Sequence, residues 1–529
     1  MEITVAGTAQ DSHLIPFYAL VKHQAHHQIG GKGSANRAKY QNYLHICFAF
    51  SANYTTFGGK IEQENMKKRV IITFLAAWCL LAQSWGFKTK GDGTTYTFET
   101  LCQQPGSGMT VETMDGMPVF TMSENDTIAA GDLFKAKDGG MVRFMDGVTF
   151  VIEGSADFQS EERYTFADAG SGGTAQGIVM KDVSSTAFRN CIFDGVGLKF
   201  VGCKGGMLSY CTFQNNNGAV GQSALVLASD DAIFGIDYCT FQDNPKAAVA
   251  SAANIYCNLS ITHCDFQNNG TLNGNTPQLN LTVADAVVID YCAIKGNPEH
   301  TMVGAIGISN FYSREGTSIT IRRCNILDNR YGIGTVGPMN IFIEDNTLKN
   351  NKYEVNPMNG GSGISLYDPY QQTSAKISGN HIEGSLWGVT VIGCNNVNLG
   401  RTDVAEDDPD YNIGGNTFKD NGNSGVLYDL YNNSTNTVYA QNNTWNVSSQ
   451  TQEEIETVIF HKADNDKLGE VIYWPAAAPA GISLQHQEQN DVPVYYDLRG
   501  VRHTTPQHGI NIIKSGGKSK KLNIRPRNR

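Results

Sequence analysis

The chain has 529 residues, with 56 Gly, only 15 Pro, 40% apolar and 17% charged residues, a globular composition that excludes a disordered or collagen-like chain. The 40 basic and 51 acidic residues leave a net charge of −11, which argues against nucleic acid as a partner, because phosphate-backbone binding needs a basic face that releases counterions. Length alone suggests three or four domains, but a repeat architecture lengthens one core without adding others, so periodicity decides.

Residues 1–65 show no hydrophobic period, only a patch of His23, His26 and His27, and read as a non-native extension from a misassigned start. Met66-Lys67-Lys68-Arg69 then opens a nearly all-apolar run from Val70 to Leu81, with small residues just before Phe87. Residues 66–86 are therefore expected to be a signal peptide. The run is shorter than the roughly 20 residues a membrane anchor needs, so no membrane span is expected. Residues 87–126 are assigned to an N-terminal cap region.

From there the sequence repeats. Aligned on cysteine, the units are Cys191-Ile192-Phe193, Cys211-Thr212-Phe213, Cys239-Thr240-Phe241, Cys264-Asp265-Phe266, Cys292-Ala293-Ile294 and Cys324-Asn325-Ile326. Asn then takes the cysteine's place in Asn346-Thr347-Leu348, Asn380-His381-Ile382, Asn416-Thr417-Phe418 and Asn443-Thr444-Trp445. Nine intervals span 252 residues, a mean of 28. An apolar, any, apolar triplet precedes most units, and a strand opened by Gly follows several, as in Gly304 to Ile308 or Gly388 to Val391.

Three short period-2 strands per repeat, with no helical period between them, fit one coil of a right-handed, single-stranded parallel β-helix, each coil stacking on the last at about 4.8 Å. The all-β expectation is about 10–12 coils over residues 127–446, a C-terminal cap over 447–475, a linker over 476–490 and a small β module over 491–529. The 36 Asn among the 257 residues from Asn190 to Asn446 support it, because Asn tolerates the left-handed region and bonds neighbouring backbone at tight turns. The six aligned cysteines should then be buried free thiols in a column, and no pair has the spacing of a zinc knuckle.

Residues 127–446 resemble the pectate-lyase-like superfamily of β-helix proteins. Thr127 to Phe134, Val142 to Phe144 and Phe150 to Gly154 look like the first coils of large bacterial surface β-helices. Tyr495-Tyr496-Asp497-Leu498-Arg499-Gly500, then Pro506 to Ile510 and a basic stretch from Lys514 to Lys521, resemble the C-terminal sorting tail of Bacteroidetes proteins handled by the type IX secretion system. The chain departs from that pattern at Asn511, where the family usually has Tyr. The resemblance implies a secreted or outer-surface location.

Catalytic motifs of the superfamily's lyases and hydrolases are absent. Adjacent Asp230 and Asp231 would point to opposite faces of a strand. Alternation predicts an outward column of Lys199, Ala228, Ala250, Thr282, Ser309, Val336, Tyr367, Ile392 and Asp429, too poor in ionisable groups for a shared site. Any active site would need loops, where Glu299, His300, Arg314, Glu315, Lys352, Tyr353 and Glu354 are available. Sugar binding asks for less, namely exposed aromatics beside polar groups, and the preferred set is Tyr367, Asp368, Tyr370 and Tyr431. The leading expectation is a monomeric surface β-helix that binds a polysaccharide or cell-surface glycan with no cofactor. The alternative is a polysaccharide lyase or glycoside hydrolase with loop-borne catalytic residues, with Ca²⁺ as a cofactor if it is a lyase.

Overall fold

The computed structural model describes residues 85–477, apart from 137, 171–174, 217–222, 253–254, 283–285 and 312–314, together with strands between 494 and 524. The expected N-terminal extension and residues 66–84 of the expected signal peptide lie outside the described residues, whereas Trp85 and Gly86, the last two of that segment, open the first strand of the fold. The chain divides into two compact units, with the boundary between Ala477 and Ala478.

The larger unit is a right-handed parallel β-helix. Its first sheet, sheet A, has 14 strands in strict chain order from Trp85–Lys88 to Ile459–Phe460. Sheet B runs through Gly205–Ser209, Ala232–Asp237 and on to Asn396–Gly400, while sheet C runs through the short strands Thr212–Gln214, Thr240–Gln242 and on to Thr417–Lys419. Early in the chain one strand, Thr186–Asp194, serves both B and C. From Gly205 onward the coils contribute separate strands to the sheets, and the pairings between coils are parallel, with the register broken only at Trp85–Lys88 against Asn125–Ile128, Ser155–Asp168 against Thr186–Asp194 and Asn396–Gly400 against Val438–Ala440 among the described residues.

Alternation places one column of each sheet inside. In sheet A these are Ile178, Leu198, Leu225, Val249, Leu279, Ile306, Ile333, Ile364, Val389 and Leu430, all buried. In sheet C the aromatics of the four Cys-x-Phe triplets, Phe193, Phe213, Phe241 and Phe266, stack one on the next, with Phe166 of Tyr164-Thr165-Phe166 below them, centroids 4.5–5.1 Å apart. Each such buried side chain contributes about 1.5–3 kcal/mol. Because coils repeat, the stack grows with every unit.

The corners follow one rule. The residue before each Cys or Asn of the repeat adopts the left-handed conformation: Asn190, Tyr210, Tyr238, His263, Tyr291, Arg323, Asp345, Gly379, Gly415 and Asn442. The chain thereby turns from sheet B into C and sends the next side chain inward. The six cysteines are buried and free, and their sulfurs lie 3.4 Å from the next-earlier coil's amide nitrogen at Cys211–Cys239 and Cys239–Cys264. Thiol hydrogen bonds from the preceding cysteine and burial push Cys211, Cys239, Cys264 and Cys324 up. From Cys324 onward the column becomes an amide ladder in which Asn346, Asn380 and Asn416 each donate Nδ2 to the next Asn oxygen at 2.9 Å.

Both open ends are covered. A one-turn helix, Phe98–Cys102, opens with a capping box at Thr97 and drives Phe98 into Phe120, Phe134, Phe150 and Tyr164. At the other end the helix Gln452–Glu456 buries Ile455 and is followed by the last sheet strands, Ile459–Phe460 and Val471–Ile472, so the edges a solenoid would leave unpaired are capped.

Register corrects the expected outward column. Ala228, Thr282, Ser309, Val336, Tyr367 and Ile392 do share one column, but Lys199 and Ala250 belong to its neighbour, which continues through Asn280, Gly307, Gly334, Ser365, Thr390 and Tyr431. Asp429 is not outward at all; it is fully buried. A two-residue hairpin, Gly422–Asn423 against Val426–Leu427, interrupts the alternation ahead of it and leaves Leu427 exposed.

In the second unit, Arg502–His503, Val494–Tyr496, Gly509–Ser515 and Lys518–Ile524 form an antiparallel sheet in that order. Asp497 to Val501 and Thr504 to His508, which carry most of the sorting-tail pattern, lie outside the described residues.

Candidate functional site

On the outer face of sheet A, across Leu279–Thr282, Ile306–Ser309, Ile333–Val336 and Ser362–Tyr367, lies a groove of about 260 Å³. Four strands at the parallel spacing make it about 14 Å long. Its floor is small and uncharged: Asn280, Gly307, Ser309, Gly334 and Ser365 are outward positions of the two columns. Tyr331, Pro277, Asn359 and Gly360 wall one side, and Tyr367, 41% exposed, stands on the floor.

Glycine makes the place for Tyr331. A Cβ at Gly304 would come within 2.1 Å of its ring, and one at Gly307 within 3.2 Å of its hydroxyl. Packing against this floor pushes the Tyr331 hydroxyl up to about 12 by burial, so the phenol stays protonated and can donate.

The walls are loops, and one arginine holds them. Arg330 donates Nε to Glu354 at 2.6 Å, one terminal nitrogen to the Asn275 side chain at 2.5 Å and the other to the Asn359 carbonyl at 3.0 Å. Glu354 also accepts from the Asn356 amide at 2.9 Å, and the Arg330 and Glu354 side chains are 9% and 6% exposed. The loop is tied at a further point, where the Trp387 indole donates to the Pro357 carbonyl at 2.9 Å. Sequence reasoning offered Glu354 as a rim residue for chemistry; its carboxylate is instead committed to this clamp. Arg330 and Tyr331 were missed, although the Arg-Tyr pair sits directly before a Gly-opened strand, at the point where the chain enters sheet A.

Of the four residues expected to bind sugar, the groove gathers one. Tyr367 lines it. Asp368 is fully buried, and its carboxylate accepts from the amides of Tyr370, Gln372 and Thr373 at 2.6–2.9 Å; the turn after the strand, not a ligand, uses it. Tyr370 is 58% exposed on that turn and does not line the groove. Tyr431 lies two coils beyond Ser365 in the same column and is half-buried, stacked on Phe460 at 4.8 Å with Trp387 edge-on at 5.0 Å.

Among the described residues no Asp, Glu, Lys, Arg or His lines the groove. Among the described residues no three His, Cys, Asp or Glu side chains converge in a way that could hold a metal ion, and no helix is long and apolar enough to cross a membrane. Arg314 lies outside the described residues. Asp230, tempting beside Asp231, accepts from the Tyr256 amide at 2.9 Å.

Residues 197–368 match the family described as right handed beta helix region. The match covers the coils from the Gly-opened strand at Gly197 to the end of the groove floor. The sequence matches no curated protein. Solved structures similar to it include the periplasmic alginate epimerase AlgG, at 11% identity over 72% of this chain and 83% of that one with a TM-score of 0.42. A mannuronic acid specific polysaccharide family 6 lyase from human gut microbiota is similar at 15% identity over 74% and 89%, TM-score 0.31. The Azotobacter vinelandii mannuronan C-5 epimerase AlgE4 A-module is similar at 12% over 68% and 85%, TM-score 0.26. Likeness at this level carries nothing about what this chain does.

Proposed function

We propose that this protein is a secreted or outer-surface β-helix that binds a neutral polysaccharide along the groove on sheet A without cleaving it. The observation that carries this reading is the lining: two tyrosines and a row of amide and hydroxyl groups, with no charged side chain among the described residues. Tyrosine faces suit the apolar faces of sugar rings, and Asn and Ser match hydroxyls. Cleavage of a glycosidic bond asks for a pair of carboxyl groups, and β-elimination asks for a base beside a neutralised carboxylate; the described lining of the groove supplies neither set.

The test is a titration of the purified protein with neutral and uronate polysaccharides, with parallel detection of reducing and unsaturated ends. The expected result is saturable binding of a neutral glycan with no release of ends. Tyr367→Ala should weaken that binding about tenfold, the loss of one stacked ring being worth about 1.4 kcal/mol. Turnover of any polysaccharide, or binding indifferent to Tyr367, would overturn the reading.

A further inference from the structure

The corner between sheets B and C carries a feature the groove does not use. Tyr210, Tyr238, His263 and Tyr291, each directly before a core cysteine, stack face to face on the outside, with centroids 5.2, 4.6 and 5.2 Å apart and planes within 7°. Their rings remain about half exposed, at 54%, 47% and 49% for the three tyrosines. All four residues take the left-handed conformation, with φ between 51° and 55°. At other coils the same position is filled by Asn190, Asp345, Gly379, Gly415 or Asn442, residue types that suit it better, and by Arg323, so backbone need does not account for aromatic rings there.

The two ends of this stack differ in charge. At the far end the Arg323 guanidinium lies 4.1 Å from the Tyr291 centroid, and Arg322 and Arg323 both pair with Asp290. Burial opposes ionisation of Asp290, but the two arginines hold its carboxyl below the usual carboxylate range. At the near end Arg189 lies 5.5 Å from the Tyr210 centroid, and neither Arg189 nor Arg163 has a carboxylate within 4.0 Å among the described residues.

Those two arginines face one concavity. The strand Ser155–Asp168 carries four residues, Ser160 to Arg163, opposite the single residue Asn190 of its partner strand. The surplus stands out as a lip, fixed by Asn190 bonds to Arg163 Nε at 3.3 Å and to the Glu161 carbonyl at 2.9 Å. Between the lip and the stack is a hollow of about 760 Å³ lined by Arg163, Arg189, Glu161, Tyr210, Tyr238 and Thr212, among others.

We infer that this corner is a second binding site, for an acidic glycan whose carboxylate or sulfate pairs with Arg163 and Arg189 and whose chain runs along the tyrosine edges. A guanidinium forks onto a planar carboxylate or a sulfate through parallel N–H donors. The ring faces are spent on each other, so the ladder offers a row of phenol hydroxyls and the Nε2 edge of His263 at coil spacing, its Nδ1 being held by the Asp237 carboxylate at 3.2 Å, which stands against an anion at that rung. An extended β-1,4-linked chain advances by a comparable step per sugar, which allows one contact per residue along the axis. Glu161 stands against an anion and sets a limit on affinity that its removal would lift.

The experiment is calorimetric titration of the full chain with an oligouronate, a sulfated oligosaccharide and a neutral oligosaccharide of matched length. At least one acidic probe should bind with an affinity that falls as salt rises. The double variant Arg163→Ala, Arg189→Ala should lose it by about tenfold or more, and Glu161→Gln should gain, while neutral-glycan binding in the sheet A groove stays as in the parent. Tyr367→Ala should leave the acidic probe untouched, so failure of the groove reading and failure of this one give different patterns. Which acidic probe binds distinguishes carboxylate from sulfate recognition. No binding of either acidic probe, or equal binding by the double variant with its thermal midpoint unchanged, overturns the inference.

Discussion

Replacing Asn380 tests the amide ladder that takes over from the cysteines. Its side chain, 1% exposed, donates Nδ2 to the Ile343 carbonyl at 2.8 Å and to Asn416 Oδ1 at 2.9 Å, while its oxygen accepts from the Asn346 backbone amide at 3.0 Å and the Asn346 Nδ2 at 2.9 Å. Asn380→Ala strands the Asn346 amide and one Asn346 side-chain proton where water does not reach, and takes one donor from the Ile343 carbonyl. With buried unsatisfied groups at about 1–3 kcal/mol each, the loss should be about 3–5 kcal/mol. Asn380→Cys should cost far less, about 1–2 kcal/mol. The protein already uses cysteine at this rung, where sulfur accepts the Cys211 amide at 3.4 Å and a thiol reaches the previous coil's carbonyl at 3.6 Å. Equilibrium urea unfolding of the three proteins, followed by circular dichroism, measures both differences. A loss under 1 kcal/mol for Asn380→Ala, or an Asn380→Cys loss as large as that of alanine, would refute the ladder as a source of stability.

Three further outcomes follow from the same structure. The thiols of Cys211, Cys239, Cys264 and Cys324, buried and held above the ordinary thiol range, should resist alkylation in the native protein and react fully after denaturation without reductant; mass-spectrometric labelling of native protein at these positions would contradict the stacked column. Arg330→Met should free the loops around Asn275 and Asn359, so that limited proteolysis cuts near 350–361 and neutral-glycan affinity drops; breaking a buried pair from one side costs about 3–5 kcal/mol, and an unchanged digest would dismiss the clamp. Burial raises the Asp429 carboxyl from 3.8 to about 7, against bonds from the Asn446 amide and Asn421. Folding therefore takes up a proton between those values, and stability should fall as pH rises from about 4 to 7, by about 1.4 kcal/mol per unit at most. Asp429→Asn should flatten that part of the pH–stability curve, and a slope identical to the parent's would count against the buried acid.

The sequence by itself determined the coil. Spacing of the Cys-x-Phe units, the shift from Cys to Asn at 346 and the apolar triplets before them follow from a period of two within strands and a mean period of 28 between them, both properties of the linear chain. The left-handed corners were also within reach, since Asn190, Tyr210, Tyr238, His263 and Tyr291 all sit one residue before the aligned position. What faces a groove was decided only in three dimensions, because register between coils depends on loops of unequal length. That register moved Lys199 and Ala250 out of the expected column, and a two-residue hairpin turned Asp429 inward. Asp368 could not be told from a binding acid until the amides of Tyr370, Gln372 and Thr373 were seen to enclose it. Arg330 became a clamp only when loops some 55 residues and 24 residues away along the chain met at its guanidinium. Side-chain partners separated by whole coils leave no local pattern, so the sequence specifies the scaffold while the stacking of coils selects the site.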